Sequence, residues 1–195
     1  MRASSGRSLP FPAAPHLRTA LLGDLDCFDS VATYPEIRWR QISLFAPQVL
    51  AGRTGDLQKF ADGVLRSEWE LPSLDTAVFN LTALGHRPMT PAERDKLWHA
   101  FHVPVYEVLF DPDTGVLASE CEAHEGWHVR HARLRFDMQN GAIIFRKNGL
   151  ASSPINSGLT AAGLDGVCAC GDEAPLLRGV KAIQSKPVRV KAAGA

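Results

Sequence analysis

The chain has 195 residues, in which 21 lysines and arginines balance 21 aspartates and glutamates. This length predicts one domain with room for a core, and the charge balance argues against a global field that would attract nucleic acid or anionic lipid. No apolar run approaches the roughly 18 to 20 residues that span a bilayer, and the N-terminal residues lack the apolar stretch of a signal peptide. We therefore expect a cytoplasmic protein without a nucleic-acid or membrane partner.

The two ends of the chain differ in composition from its middle. Residues 1–15 contain prolines and serines without apolar periodicity, which predicts a mobile N-terminal arm. Residues 180–195 alternate basic residues with small or aliphatic ones, which predicts a basic flexible tail. Residues 16–179 are predicted to form a single α/β domain.

The first predicted elements are a helical region followed by a strand. Apolar residues recur at helical spacing over residues 47–65, although Gly52, Thr54 and Gly55 favour a break inside this region. One helix and two shorter helices remain open as alternatives. Residues 76–84 are predicted to form a buried strand.

The clearest local signal lies at residues 89–101, which are predicted to form a helix. Thr90 can cap this helix, Pro91 occupies its first position, and Glu93 completes a capping box. Leu97, Trp98 and Phe101 are predicted to share one face of this helix.

The second half of the chain is predicted to be rich in strands. Residues 103–110 are dominated by β-formers, and residues 111–115 have the composition of a turn. Residues 129–136 and 142–145 flank an Asn-Gly pair, which predicts a β-hairpin. The predicted class is therefore α/β, or α+β, with a β-rich C-terminal half.

Cysteines and histidines form two clusters that predict a zinc site. A structural zinc takes four ligands in a tetrahedron, mostly thiolates with one or two imidazoles. Cys121, His128, Cys168 and Cys170 supply this set from two loops. His128 is preferred because it is predicted to open a strand that would fix its position, and His124 is the reserve ligand. We expect structural Zn²⁺, which clamps the β-rich half.

Other interpretations of these residues remain open. The cysteines and histidines could be unrelated to a metal, or a catalytic zinc could use Glu120, Glu122 or Glu125 as a base. Cys121 could also act as a nucleophile beside the two histidines that follow it. Three thiolates favour the closed structural site, which leaves no catalytic residue assigned. Cys27 is predicted to be a small buried hydrophobe, because cytosolic thiols stay reduced.

Several segments carry a resemblance to a known family. Residues 71–79, 85–98 and 101–107 together resemble the adenylate-forming enzymes, in particular their phenylacetate-CoA ligase-like branch. In that family a strand leads to a Gly-Gly-Glu-Pro-Leu-type loop, a capped helix, and a strand entering a Tyr-Gly-x-Thr-Glu motif. Glu120-Cys121 with Gly126–His128, and Cys168–Gly171, look like elements that the resemblance implies bind a structural zinc. The similarity covers about residues 41–179, so we expect a partial adenylate-forming core.

The chain departs from this family where the nucleotide would bind. The Ser-Ser-Gly of residues 4–6 is too short for the family's phosphate loop, and Tyr106 is followed by Glu-Val-Leu-Phe in place of the motif's Thr-Glu pair. Residues 153–159 replace the Arg-Tyr-Arg-Thr-Gly-Asp segment whose aspartate would hold the ribose. The small C-terminal domain with the catalytic lysine has no room after Gly179. Together these losses predict that the chain has no ligase activity of its own.

These expectations lead to one predicted function and two alternatives. The chain is predicted to be a non-catalytic zinc-binding relative that acts by binding, as an accessory or regulatory protein. It could instead be one subunit of a split acyl-CoA ligase or adenylating enzyme, whose missing half is another protein chain. The second alternative is a zinc hydrolase or an acyl-transfer enzyme that depends on Cys121. Trp39, Phe45 and Trp69 could mark a partner contact, although core packing is the commoner role of such residues. Surface positions are predicted for His86, Arg87, His99, His102 and His131.

Overall fold

A computed structural model describes residues 8–10, 12–25, 28–29, 31–130, 134–139, 142–147, 155–164 and 167–183. Cys27 and His131 lie outside the described residues. So do residues 1–7 and 11 of the predicted arm and residues 184–195 of the predicted tail.

Three helices and thirteen strands form within the described ranges. In chain order they are β1 Thr19–Leu22, β2 Ala32–Tyr34, α1 Trp39–Phe45, β3 Val49–Gly52, α2 Thr54–Leu65, β4 Ala77–Ala83, α3 Pro91–Phe101, β5 Val105–Asp111, β6 Gly115–Glu120, β7 Trp127–Val129, β8 Leu134–Gln139, β9 Ala142–Lys147, β10 Ile155–Thr160, β11 Gly163–Leu164, β12 Leu176–Arg178 and β13 Lys181–Ala182. The α/β class is thus confirmed, with the helices in the first part of the chain. None of the helices in the described part combines the length and apolar character that crossing a bilayer requires.

The strands form a large mixed sheet and a smaller antiparallel one. The large sheet has the order β11-β12-β7-β6-β5-β4-β3-β1-β2, and the small sheet has the order β13-β10-β9-β8. Strands β1 to β5 pair in parallel within the large sheet, and β5 begins a run of antiparallel pairs through β6, β7 and β12. The antiparallel end of this sheet is where the two cysteine loops lie.

Residues 47–52 correct the prediction of a helix over 47–65. Val49–Gly52 forms the parallel strand β3, and only Thr54–Leu65 is helical. All four residues of β3 are buried, because the strand lies between β1 and β4 with both faces covered. A short run that is apolar on both faces has no periodicity that separates a buried strand from a buried helix.

Helix α3 has the predicted capping box but a different buried face. The Thr90 hydroxyl accepts a hydrogen bond from the Glu93 backbone, and the Glu93 carboxylate accepts one from the Thr90 backbone. Leu97 and Phe101 share the buried face, whereas Trp98 is 51% exposed and does not share it as predicted. Trp98 follows Leu97 by one position, which rotates it about 100° around the helix and away from the core.

The antiparallel strands of the predicted hairpin are confirmed, with a different first strand, and the Asn140-Gly141 turn lies outside the described residues. Strands β8 and β9 pair antiparallel, with Gln139 opposite Ala142. Val129 belongs to β7 of the large sheet and not to this hairpin. The predicted strand over 76–84, the strand over 103–110 and the turn after it correspond to β4, β5 and the β5–β6 turn.

Apolar residues fill both faces of the large sheet. One cluster packs α1, α2 and α3 against the parallel strands, and Trp39, Phe45 and Trp69 pack against it. The Trp69 ring lies so close to Gly63 of α2 that a Cβ there would come within 2.3 Å of it. These aromatic residues therefore help to build the core and form no open aromatic patch. Another cluster joins the antiparallel strands of the large sheet to the small sheet.

Candidate metal centre

Cys121 and His128 are positioned by the hairpin-like connection between β6 and β7. Cys121 directly follows β6, and His128 lies within β7, opposite Ser119 of β6. The backbone N–H of His124 donates to the carbonyl of Cys121 at 3.0 Å, which closes a tight turn. Gly126 has no room for a side chain, since a Cβ there would lie 2.4 Å from the carbonyl oxygen of Leu177. This glycine therefore permits close contact between the loop and β12.

Cys168 and Cys170 lie on a second tight turn, just before β12. The backbone N–H of Gly171 donates to the carbonyl of Cys168 at 3.0 Å. Gly171 has a φ of 76°, in the left-handed region that glycine adopts without steric cost. Strand β12 pairs with β7 so that Leu176 lies opposite His128. The pairing brings the second turn beside the first.

The structure brings together the four predicted ligands, Cys121, His128, Cys168 and Cys170. Their ligand atoms all lie within 4.8 Å of one another, with the Sγ atoms of Cys121 and Cys168 3.4 Å apart. The Sγ of Cys170 lies 3.4 Å from the Nε2 of His128. Zinc–sulfur bonds of about 2.3 Å in a tetrahedron separate two sulfurs by about 3.8 Å, which is close to these spacings. The cluster could therefore bind a metal ion, and zinc as that ion remains a prediction.

The backbone around the cluster orients the imidazole of His128. Its Nδ1 lies 3.1 Å from the carbonyl oxygen of Ala174, which accepts a hydrogen bond when that nitrogen carries the proton. The lone pair is then on Nε2, the atom that faces Cys170. A histidine fixed in this way by its second nitrogen is the usual arrangement of a metal ligand.

Burial and hydrogen bonding act differently on the cysteine thiols. Burial raises the pKa of Cys121 to about 12, whereas the backbone N–H of Asp172 lowers the pKa of the exposed Cys170. A coordinated thiol is deprotonated by the charge of the metal, so a bound divalent cation would overcome the raised pKa of Cys121. Without such a cation, Cys121 is a poor nucleophile.

The turn that carries Cys170 is held by an ion pair. The guanidinium of Arg130 pairs with the carboxylate of Asp172, and its Nε donates to the hydroxyl of Ser119 at 2.8 Å. The other oxygen of Asp172 accepts from the backbone N–H of Ala174 at 2.8 Å. These contacts connect the second turn to β6 and β7.

The reserve ligand His124 is not part of the cluster. Its ring stacks on Tyr106, with centroids 5.2 Å apart, and its Nδ1 lies 3.7 Å from the Glu120 carboxylate. The three glutamates considered as bases also lie outside the group of four. Glu120 forms an ion pair with Arg94, Glu125 pairs with Arg178, and Glu122 is exposed.

A second polar group, which the sequence did not predict, lies beneath α3. It contains the carboxylates of Glu107 on β5 and Glu120 on β6, with Arg94 of α3 between them. Glu107 interrupts a run of buried residues in β5, and this is the signal that could have indicated a buried ion-paired group. Together with apolar neighbours the two glutamates line a cleft of about 700 Å³.

Burial has a large effect on Glu107, which is 2% exposed. It raises the pKa of this carboxyl from an ordinary 4.5 to about 7, although the Met89 backbone N–H and the Thr82 hydroxyl donate to it and oppose the change. Between these two values the folded chain keeps a proton that the unfolded chain has released. The free energy of unfolding should therefore fall as pH rises through this range.

We expect Glu107→Gln to remove this dependence on pH. In the wild type, the contribution of Glu107 to the free energy of unfolding should fall by about 3 kcal/mol between about pH 4.5 and pH 7. Above pH 7 this contribution should stay constant. Denaturant titrations of the wild type and of Glu107→Gln at several pH values measure this contribution as the difference between the two free energies of unfolding. Asp113→Asn, which changes an exposed acid in the β5–β6 turn, should keep the wild-type profile. A profile that Glu107→Gln leaves unchanged would contradict the assignment.

Comparisons with known proteins bear on the fold. No family model matches the sequence, and no curated protein matches it. Among solved structures, 2-hydroxyisobutyryl-CoA ligase in the postadenylation state, in complex with R3-HIB-AMP, is similar with a TM-score of 0.69 and 12% identity, covering 93% of this chain and 46% of the ligase. Coronafacic acid ligase from Pectobacterium brasiliense gives a TM-score of 0.58 and 10% identity, covering 91% and 41%. The fold is that of part of an adenylate-forming ligase.

The amide bond synthetase McbA from Marinactinospora thermotolerans is also similar, with a TM-score of 0.54 and 12% identity over 84% of this chain and 41% of the synthetase. The chain thus spans less than half the length of the adenylate-forming ligases to which it is similar. These TM-scores show a shared fold, and the phenylacetate-CoA ligase-like branch stays a prediction.

The adenylate-forming fold here lacks the expected motif after Tyr106. The residues from Val105 to Asp111 form the regular strand β5, in which Val108, Leu109 and Phe110 are fully buried. In the segment predicted to replace the ribose-binding motif, residues 155–159 belong to β10, and Leu159 is fully buried between the two sheets.

A smaller pocket of about 340 Å³ lies at the carboxyl ends of β3 and β4, where ligands bind in parallel sheets. It is lined by Arg53, Lys59, His86 and Arg87. His86 and Arg87 are exposed, as predicted. His99 and His102 are also exposed. This pocket is the position at which any residual nucleotide binding should be tested.

Proposed function

We propose that this chain is a non-catalytic relative of the phenylacetate-CoA ligase-like adenylate-forming enzymes, held by a structural zinc and acting as a binding, accessory or regulatory protein. The observation that carries the proposal is the convergence of Cys121, His128, Cys168 and Cys170 within 4.8 Å. Three thiolates and one imidazole form a closed zinc set that needs no further ligand. A cytoplasmic location, where thiols stay reduced, is part of the proposal.

The absence of catalysis is argued from the residues at the nucleotide side of the fold. Adenylyl transfer depends on positioning and on neutralising phosphate charge. The stretch after Tyr106 is an apolar strand, and Leu159 is buried at the segment predicted to replace the ribose-binding motif. An acyl-transfer role for Cys121 is disfavoured, because this thiol is buried and its pKa is raised to about 12.

The alternative of a split ligase subunit has one observation in its favour. The chain matches less than half of each similar ligase, so another chain could supply the remainder. Purification of the chain from its source, followed by identification of any protein that accompanies it, would distinguish the alternatives. A partner that restores adenylation would support the split enzyme.

The proposal is tested by metal analysis and by a nucleotide-binding assay on the full chain. Elemental analysis of freshly purified protein should find about one zinc per chain. Millimolar ATP with magnesium should leave the melting temperature unchanged, because a ligand that does not bind the folded state cannot stabilise it. A chain without a bound metal, or one that ATP stabilises and that exchanges pyrophosphate into ATP, would overturn the proposal.

A further inference from the structure

The cleft beside Glu107 is a concave feature that the proposed metal centre does not use. It lies between the start of α3, strands β5 and β6, and residues 179–182, the last two of which form β13. Its volume of about 700 Å³ is within the range of small-molecule sites. Apolar parts of its lining come from Pro88, Met89, Pro91, Trp127 and Val180.

Glu107 contributes a buried carboxylate with one oxygen that makes no hydrogen bond. Its Oε1 accepts from the Met89 backbone at 2.7 Å, from Thr82 Oγ1 at 2.9 Å and from Asn80 Nδ2 at 3.2 Å. Among the described residues nothing donates to Oε2, and Nη2 of Arg94 is 3.7 Å from it. The side chain is only 3% exposed, yet the residue lines the cleft. Oε2 is not fully enclosed, so a donor on a ligand in the cleft can reach it.

Once Glu107 has ionised, the charges around it leave one negative charge uncompensated. Arg94 donates from Nη2 to both oxygens of Glu120, at 2.9 and 2.8 Å, so one guanidinium serves two carboxylates. Arg87 does not supply the missing positive charge, because its guanidinium is bonded to Glu93 at 2.6 and 2.7 Å. That interaction lowers the pKa of Glu93 to about 2.

The remaining charged groups of the cleft do not remove this imbalance. Glu125 is paired with Arg178, and Asp95 adds a further negative charge on α3. His124 and the exposed Lys181 also line the cleft. Lys181 lies within ion-pair distance of none of the described carboxylates. The cleft is therefore better suited to a cation than to an anion.

We propose that this cleft binds a small organic amine, whose ammonium group donates to Oε2 of Glu107 and whose apolar body packs against Met89, Trp127 and Val180. The inference rests on the binding role proposed above and names the class of ligand. An ammonium carries the charge that the two carboxylates lack and the N–H donor that Oε2 lacks. An apolar body of the size of an aromatic ring can pack against the apolar part of the cleft lining.

The test compares two probes of equal shape and opposite charge on the zinc-loaded full chain. Calorimetry should detect binding of benzylamine and none of benzoate. Glu107→Gln should weaken benzylamine binding at least about tenfold, the usual loss for a hydrogen bond between charged groups. Binding to the wild type should strengthen from about pH 6 to about pH 8 as Glu107 ionises. Because Arg94, Glu120, His124 and Lys181 also face the cleft, a flat profile in Glu107→Gln is needed to assign the effect to Glu107.

The controls separate this inference from the proposed function. Asp113→Asn removes an exposed charge in the β5–β6 turn, which does not line the cleft. This variant should leave benzylamine binding unchanged within about twofold. If Glu107→Gln does not fold, the comparison of benzylamine with benzoate on the wild type still decides the outcome. A chain that retains zinc and binds neither probe, or both equally, overturns the inference alone. A chain that contains no zinc counts against the proposed function instead.

Discussion

Replacement of Cys168 by serine should release the metal and unfold at least the β-rich half of the chain. Cys168 is almost fully buried, and its Sγ lies 3.4 Å from that of Cys121, so its thiolate belongs to the centre of the cluster. The free energy of zinc binding in such sites is folding free energy, about 10 to 16 kcal/mol in zinc-finger peptides. We expect a loss of at least about 3 kcal/mol, a large part of the stability of an ordinary domain.

This prediction is measured by zinc content and by denaturant unfolding of the variant and the wild type. A chelator should destabilise the wild type to the level of Cys168→Ser and should have little further effect on the variant. Cys27→Ser alters the one cysteine that the sequence analysis does not assign to the zinc site, and this variant should retain its zinc. A Cys168→Ser chain with full zinc content and wild-type stability would show that these thiols do not hold a structural metal.

Replacement of Arg94 by methionine should be the next most damaging change. The side chain keeps its apolar length, but Glu107 and Glu120 lose the guanidinium that lies between them. Breaking a buried ion pair by removing one partner costs about 3 to 5 kcal/mol, because the other charge stays buried without compensation. We expect the free energy of unfolding at neutral pH to fall by about this amount.

A second substitution tests the cause of this loss. In the Arg94→Met chain, Glu120→Gln should recover part of the lost stability, since it removes one of the unpaired charges. Arg87→Met breaks the half-exposed pair with Glu93 and should cost no more than about 1 kcal/mol. Equal losses for the two arginine variants would argue that Arg94 acts through its surface contacts and not through the buried carboxylates.

The order of the elements follows from local sequence in the second half of the chain. Thr90, Pro91 and Glu93 determine where α3 begins, because capping needs only residues that are neighbours along the chain. The Asn-Gly pair in the sequence likewise predicted a hairpin here, and β8 pairs with β9. Strands β1 and β2 and helix α1 were not predicted, since they are short and their spacing is not distinctive.

The candidate metal centre was predictable because its ligand types are rare and closely spaced. Cysteines two positions apart, followed by a glycine, indicate a tight turn with two sulfurs whatever the rest of the fold does. The choice of His128 over His124 depended on a strand that pairs with β6 and β12, and the structure brings His128 to the three thiols. The ring of His124 stacks on Tyr106 instead.

The sequence by itself determined the four-residue cluster, the capped helix and the hairpin, because each depends on residue type and spacing over a few positions. Only the tertiary structure decided that Val49–Gly52 is a strand and that Trp98 faces solvent. It also decided that Arg94 lies between Glu107 and Glu120. Burial and charge pairing depend on which distant segments become neighbours, and the pattern within one segment does not contain that information.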